Sequence, residues 1–233
     1  MRSLFISPHP DDIAYSCFIP IFRNKGYKHI LTIFGESKYA YGTSDNDIDT
    51  ITDVRMQEEY AFARFINAEI SYCRFPDSSI TYRPNSSMDG LYPNKQDIRN
   101  CILDVFQSLD YTDVYFPIAQ CWHYDHILIH NIVLESLLPI ASSKVQFHMY
   151  EDYPYVADMT DKEIKESILC NINSKTNKVS SYFEMIDMCL VEQETAINIY
   201  KSQKNDIDIC KILDRKTHNN CIKETIWNVE TIK

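Results

Sequence analysis

Strand-like and helix-like segments alternate through the first 150 residues, and few architectures accept that order. Residues 2–7 (RSLFIS) form a short apolar run that breaks at Ser-Pro. From Asp11 or Asp12 to about Asn24 the apolar positions suit a helix, with Asp12 as N-cap and a kink or early end at Pro20. Residues 29–34 (HILTIF) read as a second buried strand, 51–67 as an amphipathic helix and 69–75 (EISYCRF) as an alternating strand. Helix 96–109, strand 113–117 (DVYFP), helix 125–138 and strand 145–150 (VQFHMY) follow. Continuously apolar strands are buried on both faces. The pattern therefore predicts an α/β fold: a mainly parallel sheet with helices on both faces. Beyond residue 155 the pattern turns helical, roughly 160–175 and 182–204. The expected unit is one domain over 1–233, with a core of about 1–155 and a C-terminal helical extension of about 156–233.

Two long polar segments interrupt the alternation, 35–50 and 76–95. Long loops in compact domains are often functional. Glycine is scarce: four are present, where average usage of ~7% would give about sixteen. No two stand at the spacing of a G-x-G-x-x-G dinucleotide fingerprint or a G-x-x-x-x-G-K-[ST] phosphate loop. The G-x-S-x-G nucleophile elbow is missing, as are H-E-x-x-H and the EF-hand pattern. The net charge of −10 excludes a general nucleic-acid surface, which needs clustered Lys and Arg. Eight scattered cysteines without C-x-x-C support neither a zinc ribbon nor a thioredoxin site, and read as reduced thiols of a cytoplasmic protein. No signal peptide and no apolar run of ~18 residues is found, so no integral membrane segment is expected.

Two motifs carry chemistry. Ser7-Pro8-His9-Pro10-Asp11-Asp12 follows the first strand directly. In open parallel sheets, ligands bind at the carboxyl ends of the strands. A histidine and two carboxylates there form a candidate metal site, and two prolines stiffen the turn that carries them. His9 and Asp12 can both reach one ion, while Asp11 stays free. His123-Tyr124-Asp125-His126 follows a later strand and enters a helix. Three protein ligands with one open position is the pattern of catalytic zinc. The motifs lie far apart in sequence but at equivalent strand ends, so a parallel sheet brings them together. His130, one turn beyond His126 on the same face, reads as a packed or surface histidine rather than an extra ligand. Glu151 and Asp152 follow the fifth strand and face the edge of the same site.

The pair SPHPDD and HYDH resembles the zinc-dependent de-N-acetylases of the PIG-L/LmbE-like family. Those carry an H-P-D-D segment after the first strand and an H-x-D-H segment later. Arg55-Met56-Gln57-Glu58, followed by Ala61 and Ala63, resembles the family's R-x-x-E helix. Phe75-Pro76-Asp77 resembles a loop whose aspartate binds the sugar. Residues 150–155 (YEDYPY) and 200–203 (YKSQ) resemble segments of bacterial members. The resemblance runs from residue 4 to about 203. It departs at Ile13, where the family usually has Glu, and at Cys17-Phe18, where many members have a Gly pair. That Glu is not a zinc ligand in the family, so the departures bear on substrate preference and on packing of the early helix.

The resemblance implies a Rossmann-like, LmbE-like fold and a set of roles. His9, Asp12 and His126 would hold Zn²⁺, and Fe²⁺ also suits two histidines and an aspartate. Asp11 would be the general base. His123 would stabilise the oxyanion, best as imidazolium, and Asp125 would orient His123. Arg55 and Asp77 would bind substrate, with Tyr39, Tyr41, Tyr82 and Tyr92 offering aromatic faces to a sugar. The reaction would convert an N-acetylated, small-molecule amino-sugar conjugate to amine and acetate. Two other readings compete. One is a non-catalytic sugar-binding protein on the same fold, which has no need of a free base beside the metal ligands. The other is a metal-dependent hydrolase of another bond, such as a phosphoester, for which two-metal sites usually need more ligands.

Overall fold

A computed structural model describes residues 1–41, 47–83, 90, 92–120, 123–172, 177–203 and 205–232, with the backbone only at Cys170, Asn171 and Asp206. In chain order the elements are β1 (Arg2–Ser7), α1 (Asp12–Ser16), α2 (Phe18–Arg23), β2 (Tyr27–Thr32), α3 (Ile48–Ile66), β3 (Glu69–Tyr72) and a short α4 (Ser78–Thr81). Then come α5 (Lys95–Ser108), β4 (Asp113–Pro117), α6 (Tyr124–Ile132) and β5 (Gln146–Tyr150). The C-terminal part holds α7 (Asp161–Ile172), β6 (Asn177–Asp187), α8 (Leu190–Ile199), α9 (Asp206–Lys216), β7 (Thr217–His218) and β8 (Cys221–Thr231).

The strands lie in the order β3-β2-β1-β4-β5-β8-β6, with β7 paired to β8. The first five are mutually parallel, and Leu4 of β1 stands opposite both His29 of β2 and Val114 of β4. The α/β expectation is met, and the C-terminal part adds antiparallel strands to the same sheet. Chain order reverses direction across the sheet at β1, whose neighbours are β2 and β4. A crevice opens outside the carboxyl ends at such a reversal, and both motifs emerge there.

Burial explains the elements. Leu4, Phe5 and Ile6 are fully buried on both faces of β1, and Phe5 stacks on Tyr115 of β4 at 4.7 Å. In α3 the buried positions Ile51, Arg55, Glu59, Phe62, Ala63 and Ile66 repeat every three or four residues, the spacing of one helix face. Asp47 caps its start by accepting from Thr50 N at 3.0 Å, and Asn67 ends it in the left-handed conformation, φ 54°.

Three local expectations are corrected. The early helix breaks at Cys17 rather than at Pro20, which sits inside the first turn of α2 and is tolerated there. Asp11, not Asp12, precedes α1, and it makes no side-chain cap. The helix expected from 182 begins only at Leu190, because 182–187 belong to β6. Among the cysteines, Cys121 lies outside the described residues, as does the side chain of Cys170. The other six are free thiols, with Cys73 Sγ 3.0 Å from Cys101 Sγ at the end of β3. No described helix is long and apolar enough to cross a membrane.

Candidate metal centre

The turn after β1 is fixed by its own hydrogen bonds. Ser7 Oγ donates to the His9 carbonyl at 2.6 Å, and His9 N donates to Asp12 Oδ2 at 2.7 Å. Asp11 between them has φ 98°, a left-handed conformation costly for a residue with a side chain. The twist sends the two carboxylates apart. Asp12 faces the histidines, with Oδ2 3.3 Å from His9 Nδ1 and Oδ1 3.5 Å from His126 Nε2. Asp11 faces Arg55, whose Nη2 lies 3.9 Å from its Oδ1.

The second motif starts α6, with His123 at the N-cap and Asp125 and His126 fully buried in the first turn. His126 Nδ1 lies 2.9 Å from Asp152 Oδ1, just beyond β5. An ionised carboxylate only accepts, so the Nδ1 hydrogen points at Asp152 and the Nε2 lone pair is left free. Asp125 Oδ2 lies 2.8 Å from His9 Nε2 but 3.6 Å from His123 Nδ1. It also accepts from Ser78 N at 3.1 Å and Ser78 Oγ at 2.9 Å, while Tyr92 OH donates to Oδ1. Its closest histidine is therefore His9 rather than the expected His123.

One ring nitrogen each from His9, His123 and His126 lie within 4.8 Å of one another. His126 Nε2 and His123 Nδ1 are buried with no hydrogen-bond partner. Orphaned buried nitrogens are costly, and a cation in their midst removes the cost. Imidazole and carboxylate donors suit zinc or a related divalent metal. The residues present thus fit a metal.

Charge follows the geometry. Burial, then the charge of Asp12, pushes the Asp11 carboxyl well above the usual range. Burial works to raise Asp12 too, but His126 and His9 outweigh it and hold the group low. Burial opposes ionisation of Asp125 as well, yet His9 and the hydrogen bonds keep it far below the usual range. His9 is pulled down by burial but carried up to about 10 by Asp12 and Asp125. Burial, above all, pushes His123 down to about 3.

His9, Asp11, Asp12 and His123 border a cavity of about 550 Å³. Arg55 and Asp77 both line it, with Arg55 Nη1 3.8 Å from Asp77 Oδ2. Asp77 also caps α4, accepting from Ser79 N at 3.0 Å. Tyr39 and Tyr82 line the cavity, Tyr82 stacked on Tyr124 at 6.0 Å; Tyr41 does not, and Tyr92 is buried behind it on Asp125. His130 is packed, its Nδ1 2.9 Å from the Pro117 carbonyl. Glu151 points to Trp227, away from the cavity. Ile13 is buried in the core, clear of the histidines' cavity. Ser78, Asn205 and Asp208 line the site without a signal in the sequence, whereas Tyr155 and Gln203 belong to the resembling segments 150–155 and 200–203.

Residues 4–137 match the family described as PIG-L, GlcNAc-PI de-N-acetylase. A 2'-N-acetylparomamine deacetylase from Streptomyces fradiae is 22% identical, covering 97% of this chain and 77% of the relative. A deacetylase of the teicoplanin biosynthesis pathway, solved with teicoplanin, superposes with a TM-score of 0.80 at 16% identity over 100% of both chains. The deacetylase of the A40926 pseudoaglycone gives 0.74 at 21% identity, over 98% of this chain and 96% of its own. The family match spans more than half of the chain and includes both histidine motifs, so the chain belongs to the PIG-L family and is a metal-dependent deacetylase.

Proposed function

We propose that the protein removes an N-acetyl group from an amino-sugar substrate by metal-assisted hydrolysis. The observation that carries this reading is the buried, unpartnered Nε2 of His126, 3.5 Å from Asp12 Oδ1, behind a cavity that His9, Asp11, Asp12 and His123 line. The Streptomyces relative, named for an N-acetylated amino sugar, supports the substrate class.

His9, Asp12 and His126 would hold the metal. When bound, a divalent metal supplies a water of lowered pKa and polarises the amide carbonyl. Asp11 is the one carboxylate of the first motif turned away from the histidines, and would act as general base. It takes a proton from the attacking water and returns it to the departing amine. Water is thus added across the amide C–N bond: oxygen joins the acetyl carbon, and hydrogen joins the nitrogen. His123 donates a hydrogen bond to the carbonyl oxygen as negative charge grows there. Asp125 holds His9, and through the longer contact steadies His123. Arg55 and Asp77 hydrogen-bond the sugar from the cavity wall.

The test is acetate release from N-acetylated amino sugars by the metal-loaded protein. About one metal per chain is expected, with activity abolished by EDTA and restored by adding metal back. Asp11→Asn should retain metal and lose most turnover. Sugar binding without acetate release across formyl and longer acyl amides would overturn the reading in favour of a binding protein.

A further inference from the structure

The backbone of Asp11 must be held from outside. A non-glycine residue at φ 98° keeps that conformation only where its surroundings fix it. Its own carboxylate does not, since it makes no cap on α1. Its carbonyl accepts from Tyr15 N at 3.0 Å, the first hydrogen bond of α1. The remaining handle is its amide.

Two buried residues of α3, one turn apart on the same face, address Asp11. Arg55 stands beside its carboxylate, as described above. Glu59 faces its backbone, and the Asp11 N–H acts on the Glu59 carboxylate as a hydrogen-bond donor. Glu59 is 1% exposed and does not border the cavity, so it cannot touch substrate. Both of its oxygens are pinned by hydroxyls. Thr32 Oγ1, at the end of β2, donates to Oε1 at 2.8 Å, and Tyr200 OH donates to Oε2 at 2.5 Å. Tyr200 is itself buried, with its ring packed on Phe62 at 5.7 Å and on Tyr15 at 6.3 Å. The carboxylate that meets the Asp11 amide therefore has no freedom to turn.

We propose that Glu59 is a positioning residue for the reaction: held by Thr32 and Tyr200, it anchors the Asp11 amide and so aims the Asp11 carboxylate at the attacking water. This rests on the reading of Asp11 as general base and deepens it. Glu59 acts through Asp11 and touches no reacting atom. The C-terminal part thereby serves the chemistry, because Tyr200 lies beyond the residues 4–137 that match the family.

A double-mutant cycle on acetate release by the metal-loaded protein tests it. Glu59→Leu removes the acceptor. It should lower kcat roughly ten- to a hundredfold, the scale of a reacting group displaced by about 1 Å, with KM and metal content those of the parent. On the Asp11→Asn background the same substitution should change kcat by less than about twofold, because no base is left to aim. A merely structural residue would cost the same factor in both backgrounds. Glu59→Gln should recover most of the turnover, since it keeps an oxygen for the amide while either hydroxyl can turn to accept from its NH2. Where Glu59→Leu does not fold by circular dichroism, Tyr200→Phe takes its place, with a severalfold fall in kcat that again needs Asp11. Unchanged kcat in the folded variant, or equal losses in both backgrounds, overturns the inference and leaves the deacetylase reading standing. A parent that releases no acetate sinks that reading, full turnover in Asp11→Asn removes the base, and the inference falls with either.

Discussion

A single carboxylate beyond the fifth strand decides which face of His126 is free. Asp152 is fully buried, accepts from Gln120 N at 2.9 Å through one oxygen, and engages His126 Nδ1 through the other. Without it the ring can adopt the other tautomer or turn. Asp152→Asn is expected to weaken metal binding by roughly ten- to a hundredfold, the usual effect of losing a partner that orients a metal-binding histidine. Competition with a chromogenic chelator measures this directly, and unchanged affinity would remove Asp152 from the centre. At this scale the sequence was informative where chemistry is rare and clustered. His9, Asp11, Asp12, His123, Asp125 and His126 come in two tight groups at strand ends, and the structure brings them together. Ser78 and Tyr92 were not legible, because a hydroxyl that holds Asp125 looks like any other among sixteen tyrosines and many serines.

Helix α2 is held at its start by a residue from the far end of the chain. Phe18 N and Ile19 N donate to the two oxygens of Glu224 on β8, at 3.1 and 2.9 Å. These are first-turn amides that the helix itself cannot satisfy. Lys216, also buried, neutralises the same carboxylate at 2.5 Å and lies 4.7 Å over the Tyr153 ring. Glu224→Ala leaves a buried ammonium uncompensated and two amides without acceptors. A loss of about 3–5 kcal/mol is expected, read as a lowered urea midpoint. A midpoint within experimental error of the parent would contradict this account. The departure at Cys17-Phe18 acquires its meaning here: both side chains are fully buried, and the chain supplies a capping carboxylate where a glycine pair is usual. Elements with clean periodicity, such as β1, α3 and α5, were legible within a few residues. Strand β6 was not. A register shift between Val179 and Ser181 breaks its two-residue alternation, and Tyr182, Phe183 and Ile186 are exposed, so the pattern mimics a helix.

Across the whole molecule, β8 joins the parallel strands to the C-terminal part. Glu151, just past β5, accepts from Trp227 Nε1 of β8 at 3.2 Å, and both are buried. Burial pushes the Glu151 carboxyl from 4.5 up to about 7. Between these values the folded state keeps a proton that the unfolded chain has released, so stability falls as pH rises through that window. The contribution is on the order of 3 kcal/mol, fully present below the lower value and lost above the upper one. Glu151→Gln should flatten the pH dependence of the urea midpoint between pH 5 and 7, a range set by those two values. An unchanged slope would show that this carboxyl is not responsible. The parallel half was legible from alternation alone. The antiparallel half was not, since its strands pair with partners far along the chain, and no local pattern reports that. The order of the sheet has a further consequence. β8 lies between β5 and β6, yet it is made long after β5. A chain emerging from the ribosome must therefore carry β5 as an open edge, ready to pair with any stray strand, until the segment that closes it arrives. Speed of synthesis over that interval, rather than final stability, would govern how much of the protein escapes aggregation.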